Sequence, residues 1–95
     1  KNGQQAVTIA AIFAQQAKRR MARNVVRVMF VFALLERPGM TEEDVLTLFC
    51  EVPLFAEYAA RYFDTPPRDL ALATMEELAK AGTLERGGEG RWFAR

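Results

Sequence analysis

A mainly helical fold closed by a C-terminal β-hairpin is predicted by three features of the chain. Residues 4–37 contain neither glycine nor proline and are rich in Ala, Gln, Arg, Met and Leu, residues that lose little on entering a helix. Two later apolar-periodic segments open on turn or capping residues, Arg37-Pro38-Gly39 with Thr41, and Asp64-Thr65-Pro66-Pro67. Near the end, residues 83–86 and 91–95 flank Gly87-Gly88-Glu89-Gly90, whose glycines permit the positive φ angles a tight hairpin needs.

The first helical stretch changes character along its length. Residues 6–14 (AVTIAAIFA) are apolar on most sides with small residues, residues 15–24 (QQAKRRMARN) are strongly polar, and residues 25–35 (VVRVMFVFALL) are apolar nearly all round. A helix that is apolar all round must be covered all round. Unbroken, the stretch would reach about 50 Å, whereas a compact chain of this size has a radius of gyration of about 12 to 13 Å. The expectation is either a break at residues 22–25 or an N-terminal half that reaches a partner. A strand is the runner-up over residues 25–32, because Val and Phe favour strands. The flanking helix formers and the missing turn residues favour the helix.

Arg37-Pro38-Gly39 reads as a turn and Thr41 as the N-cap of a helix starting at Glu42, with Glu42, Glu43 and Asp44 at the positive end of its dipole. That helix runs to about Cys50, turns Val45, Leu46, Leu48 and Phe49 inward, and is ended by Pro53. Residues 54–63 form a short amphipathic helix with Phe55, Tyr58, Ala59 and Tyr62 on one face. Thr65 then caps a helix over residues 66–81, which buries Leu70, Ala71, Met75 and Leu78 with Leu72 and Ala79 at the margin. Gly82 stands at the left-handed C-cap position.

Composition excludes several functions. There is no histidine and Cys50 is the only cysteine, which removes intrachain disulfides, thiolate–imidazole catalysis and most zinc sites. No cofactor or metal is implied, and a reducing, cytoplasmic setting fits best. Paired acids such as Glu42/Glu43 and Glu76/Glu77 stand without a nucleophile–base pair or a phosphate loop, so the expectation is not an enzyme. No run approaches the ~20 apolar residues that span a bilayer, so no membrane partner is expected. The chain opens on Lys1 rather than methionine, the pattern of an excerpt from a longer chain, so a missing targeting signal carries no information.

The net charge of +1 conceals a polarised distribution. Residues 1–35 hold six basic residues and no acid, +6, whereas residues 36–95 hold seven basic and twelve acidic residues, −5. Such asymmetry fits an anionic partner for the basic part, or mutual attraction of the two parts within an assembly.

The order helix, turn, helix, extra helix, helix, hairpin carries a resemblance. ALLERPGMTEEDVLTLF followed by PPRDLALATMEELAKAGTLERGGEGRWFAR resembles winged helix-turn-helix domains of bacterial and archaeal transcriptional regulators. It does so through Leu34-Leu35-Glu36-Arg37-Pro38-Gly39, Thr41, and the Leu78 to Leu84 step into a wing. The resemblance covers residues 24–95, leaving residues 1–23 as an N-terminal helical extension for dimerisation or partner contact. It implies a DNA-binding domain, homodimeric, on double-stranded DNA; winged helices also serve as protein-docking modules of larger assemblies. The segment from Glu51 to Thr65 exceeds the short turn usual between the second and third helices. The third helix offers two cations, Arg68 and Lys80, against Asp69, Glu76 and Glu77.

The candidate nucleic-acid contacts are therefore Arg68 and Lys80, the wing residues Arg86, Arg91 and Arg95, and the stripe Arg19, Arg20, Arg23 and Arg27 with Gln16, Lys18 and Asn24 beside it. A solvated face, or one paired with the acidic part of the chain, is the alternative for the stripe. On an extended strand only one of Trp92 and Phe93 can face the core. Either an exposed aromatic beside the arginines contacts a partner, or Trp92 seals the core and Phe93 lies under an N-terminal helix. Ile9, Ile12, Phe13, Val28, Phe30 and Phe32 are the candidate oligomer interface. Cys50 reads as a small buried hydrophobe.

Overall fold

The computed structural model describes residues 2–95, with side chains from Val7 onward; Lys1, counted above in the basic part, lies outside the described residues. The elements are α1 (Asn2–Glu36), β1 (Met40–Thr41), α2 (Glu42–Cys50), α3 (Pro53–Tyr58), α4 (Pro67–Lys80), β2 (Leu84–Arg86) and β3 (Arg91–Ala94). The fold is mainly helical, with a small antiparallel sheet built around the C-terminal hairpin.

α1 is one helix of 35 residues. The break expected at residues 22–25 does not occur, nor does the strand over residues 25–32, because nothing in the stretch interrupts the helical hydrogen bonds and Ala22 and Val26 already enter the core. Residues 7–21 are exposed on every side, so the N-terminal half projects from the body. The molecule is 60 Å long with a radius of gyration of 16.2 Å.

Core contacts from α1 recur at every turn: Val26, Phe30 and Leu34 are all buried, as i, i+4, i+8 spacing requires. The Phe30 ring stacks on Phe49 of α2 with centroids 3.9 Å apart, and Phe55 of α3 meets both rings edge-on. α4 adds Leu70, Ala71, Met75 and Leu78, and the hairpin closes the core with Leu84 and Trp92.

Local chemistry sets the element ends. Thr41 Oγ1 accepts the Asp44 N–H at 3.2 Å and caps α2, whose first turn carries three acids as the dipole favours. α3 runs into a π-helical turn, Ala59–Phe63, ended by Asp64 in the left-handed region at φ 47°. Thr65 does not cap α4: its hydroxyl donates back to the Phe63 carbonyl at 2.7 Å. Pro66 takes the N-cap position and Pro67 the first helical one, where a missing N–H leaves nothing unsatisfied. At the other end Gly82, at φ 79°, donates to the Ala79 carbonyl and Thr83 to that of Leu78, the paired bonds of a left-handed helix stop. Cys50 is exposed, not buried as its neighbours suggested; it follows Phe49 by one residue and so turns about 100° away from the buried face.

The sheet has the order β1-β3-β2, antiparallel throughout. The sequence gives no sign of β1, which is two residues long and pairs Met40 with Trp92 and Thr41 with Arg91. Alternation along β3 sends Trp92 into the core, 1% exposed, and leaves Phe93 outside, 37% exposed. Phe93 does not lie under α1. It covers Gly39 and Gly87 instead, where a Cβ on Gly87 would stand 2.8 Å from Phe93 Cε2.

Candidate interaction surface

The basic side chains fall into two groups with different surroundings. In the body, each wing and α4 arginine meets a carboxylate. Arg68 reaches Glu43 at 2.5 Å, Arg86 reaches Glu42 at 3.2 Å, Arg91 reaches Glu89 at 3.7 Å and Arg95 reaches Glu85 at 3.5 Å. Arg27, at the root of the N-terminal stripe, pairs with Glu77 of α4. The Arg68 hydrogen bond, with its charge, holds the Glu43 carboxyl below the ordinary glutamate range. Arg91 also donates to the Gly39 carbonyl at 2.8 Å, and the Arg86 guanidinium lies 4.8 Å over the Trp92 ring, a cation–π distance.

Such exposed pairs contribute little to stability, because solvent screens them. Their greater effect is on the field. The first turn of α2, α4 and the hairpin together hold eight carboxylates against five cations, so a phosphate approaching α4 or the wing meets net negative charge.

Along the projecting part of α1 the balance reverses. Among the described residues, Lys18, Arg20 and Arg23 have no carboxylate within ion-pair distance, and Arg19 donates to the Tyr62 carbonyl at 2.9 Å. Gln16, Arg19, Arg20 and Arg23 line a shallow depression on the helix surface. Lys80, at the C-terminal turn of α4, is likewise exposed and unpaired with any described acid.

The candidate oligomer residues separate by helical phase. Phe30 is corrected: it is fully buried beneath Phe49 and is unavailable to a partner. Val28 and Phe32 are exposed, as are Ile9, Ile12 and Phe13 on the projecting half. With Met21, Val25 and Leu35, Val28 and Phe32 form a stripe 38% to 68% exposed, and its spacing is 4-3-4-3. Continued toward the N-terminus the same spacing passes through Lys18, Ala14, Ala11 and Val7. This is a heptad seam. It lies to the side of the core face of α1: at about 100° per residue its positions stand about 60° to 180° from Val26 and Phe30, and Lys18, Met21 and Val25 border Tyr58 and Tyr62 of the body. Every arginine of α1 lies off the seam, and the positions beside it are uncharged from Thr8 to Val31: Thr8, Gln15, Ala22 and Met29 on one side, Ala10, Ala17, Asn24 and Val31 on the other. Next to its C-terminal half, Met29, Phe32, Leu48 and Val52 line an apolar groove between α1 and α2.

The seam was open to detection in the sequence through the 4-3 spacing of Val25, Val28, Phe32 and Leu35. It is obscured there by the second, i+4 pattern of Val26, Phe30 and Leu34 interleaved with it.

Among the described residues no group of three or more acidic or cysteine side chains is placed to hold a metal, and no helix is long and apolar enough to cross a membrane. Comparison with protein-family models, curated proteins and solved structures returns no match.

Proposed function

We propose that this chain is a winged-helix protein-interaction module, a non-enzymatic assembly domain that docks through α1. The winged-helix reading is supported by element order and by the strand between the first two helices, which joins the hairpin in a three-stranded sheet. The observation that carries the docking function is the apolar seam of α1, interrupted by Lys18, whose large residues Met21, Val25, Val28, Phe32 and Leu35 stay exposed in the chain. A soluble domain rarely exposes a long contiguous apolar strip without a partner for it.

DNA binding by a homodimeric regulator becomes the second reading, and one observation favours it: Lys18, Arg20 and Arg23 face solvent without acidic partners. On that reading the phosphate contact belongs to α1, and not to Arg68, Arg86, Arg91 and Arg95, which are engaged with Glu43, Glu42, Glu89 and Glu85. Fluorescence anisotropy with a labelled random-sequence duplex at low salt separates the two. The docking function gives no saturable binding, and an Arg91→Ala/Arg95→Ala variant behaves as the parent. Tight, salt-sensitive binding that is lost in Arg20→Ala/Arg23→Ala would replace docking with a nucleic-acid function.

A further inference from the structure

The seam has a property beyond its exposure: its two halves differ in size. Toward the C-terminus it is built of Met21, Val25, Val28, Phe32 and Leu35; toward the N-terminus of Val7, Ala11, Ala14 and Lys18. Resting on the docking reading, we propose that the occupant of the seam is a second copy of this chain, with the two α1 helices antiparallel and crossing near Met21.

Size complementarity selects that direction. Antiparallel alignment sets the small half of one seam against the large half of the other, so that Leu35 faces Val7 and Val28 faces Ala14 across the interface. Large against small fills the space between helices at the density of a protein interior. A parallel pair would instead set Phe32 against Phe32 and leave Ala11 and Ala14 too far apart to touch. Charge points the same way. Lys18 is the one ionic residue on the seam; a parallel pair brings the two ammonium groups together, whereas the antiparallel pair sets each beside the uncharged Asn24. Glu36, at the end of α1, then lies toward the positive end of the facing helix dipole.

The geometry leaves room for both bodies. Val26, Phe30 and Leu34 point away from the seam into their own core, and Tyr58 and Tyr62 border Lys18, Met21 and Val25 on one flank, so each body stands beside the pair and adds these two rings to the rim of the crossing. From Val7 to Leu35 the seam is about 42 Å long. With about 15 Å of each helix circumference in contact, two copies bury on the order of 1,200 Å² in total, the lower bound for a stable specific interface. The 4-3 spacing keeps the seam facing its partner over four heptads, through a left-handed supercoil.

Cysteine cross-linking of the full 95-residue chain tests both the occupant and the direction. Cys50 is first replaced by serine, because its exposed thiol would cross-link indiscriminately. In that background Val7→Cys/Leu35→Cys is expected to oxidise to a covalent dimer in high yield, while Val7→Cys alone and Leu35→Cys alone stay monomeric on a non-reducing gel. Covalent dimers from either single variant would overturn the antiparallel arrangement and leave docking intact. A monomer by light scattering at every concentration would overturn the second copy; if that monomer also ignores duplex DNA the docking reading survives, and if it binds duplex both readings fall.

Discussion

The rings of Phe30 and Phe49 lie 3.9 Å apart and within 6° of parallel, fastening α1 to α2 at the centre of the core. Two residues further along α1, Phe32 is 63% exposed. One helix thus presents chemically identical side chains to its own core and to an outside surface.

These two phenylalanines are expected to respond oppositely. Phe30→Ala opens a cavity under Phe49 and Phe55 and should cost about 3–5 kcal/mol in denaturant unfolding. Phe32→Ala should stay within about 0.5 kcal/mol at high dilution, yet abolish any dependence of the melting temperature on protein concentration. Equal losses in the two variants would contradict the assignment of faces.

The Glu43–Arg68 pair gives a pH dependence of defined sign. The Arg68 hydrogen bond and charge lower the Glu43 carboxyl in the folded state. Its contribution is therefore complete above the ordinary glutamate range and fades as pH falls through the lowered value. Relative to Glu43→Gln, the wild type should hold an advantage at neutral pH that closes on acidification. Carbon-detected NMR of the Glu43 carboxyl checks the cause directly: Arg68→Ala should move its midpoint up to the ordinary range, and an unmoved midpoint would contradict the pairing.

Phe93 and Gly87 supply a steric prediction. A Cβ at Gly87 would meet Phe93 Cε2 at 2.8 Å, so Gly87→Ala is expected to destabilise by about 1 kcal/mol through displacement of the ring. In a Phe93→Ala background the same change should be nearly neutral, because the backbone at Gly87 has an ordinary negative φ. A double-mutant cycle on thermal unfolding reads the coupling, and additive losses would show that the ring does not set the limit.

Much of the body is legible from residue pattern because its signals are local. The cap at Thr41, the stop at Gly82 and the inward set Leu70, Ala71, Met75 and Leu78 each follow from spacing within a few residues. What escapes is non-local. β1 forms only because β3 offers it partners 50 residues away, and Thr65 loses its expected cap because the π-helical turn before it redirects the chain at Asp64. Phe30 reads as an interface residue yet lies in the core, because two apolar periods, one for the core and one for the seam, overlap in residues 25–35. The arginines illustrate the same limit for function: their positions on α4 and the wing are readable, but their carboxylate partners on α2 lie 25 and 44 residues away in the chain.

The central claim is that two copies of the chain pair through the α1 seam, and the molar mass of the chain in solution tests it most directly. Sedimentation equilibrium of the wild type is expected to give twice the chain mass of 10.7 kDa. Val28→Glu/Phe32→Glu should give the single-chain mass with an unchanged helical circular-dichroism spectrum, since both side chains lie outside the core. A wild type and variant of the same mass would contradict it.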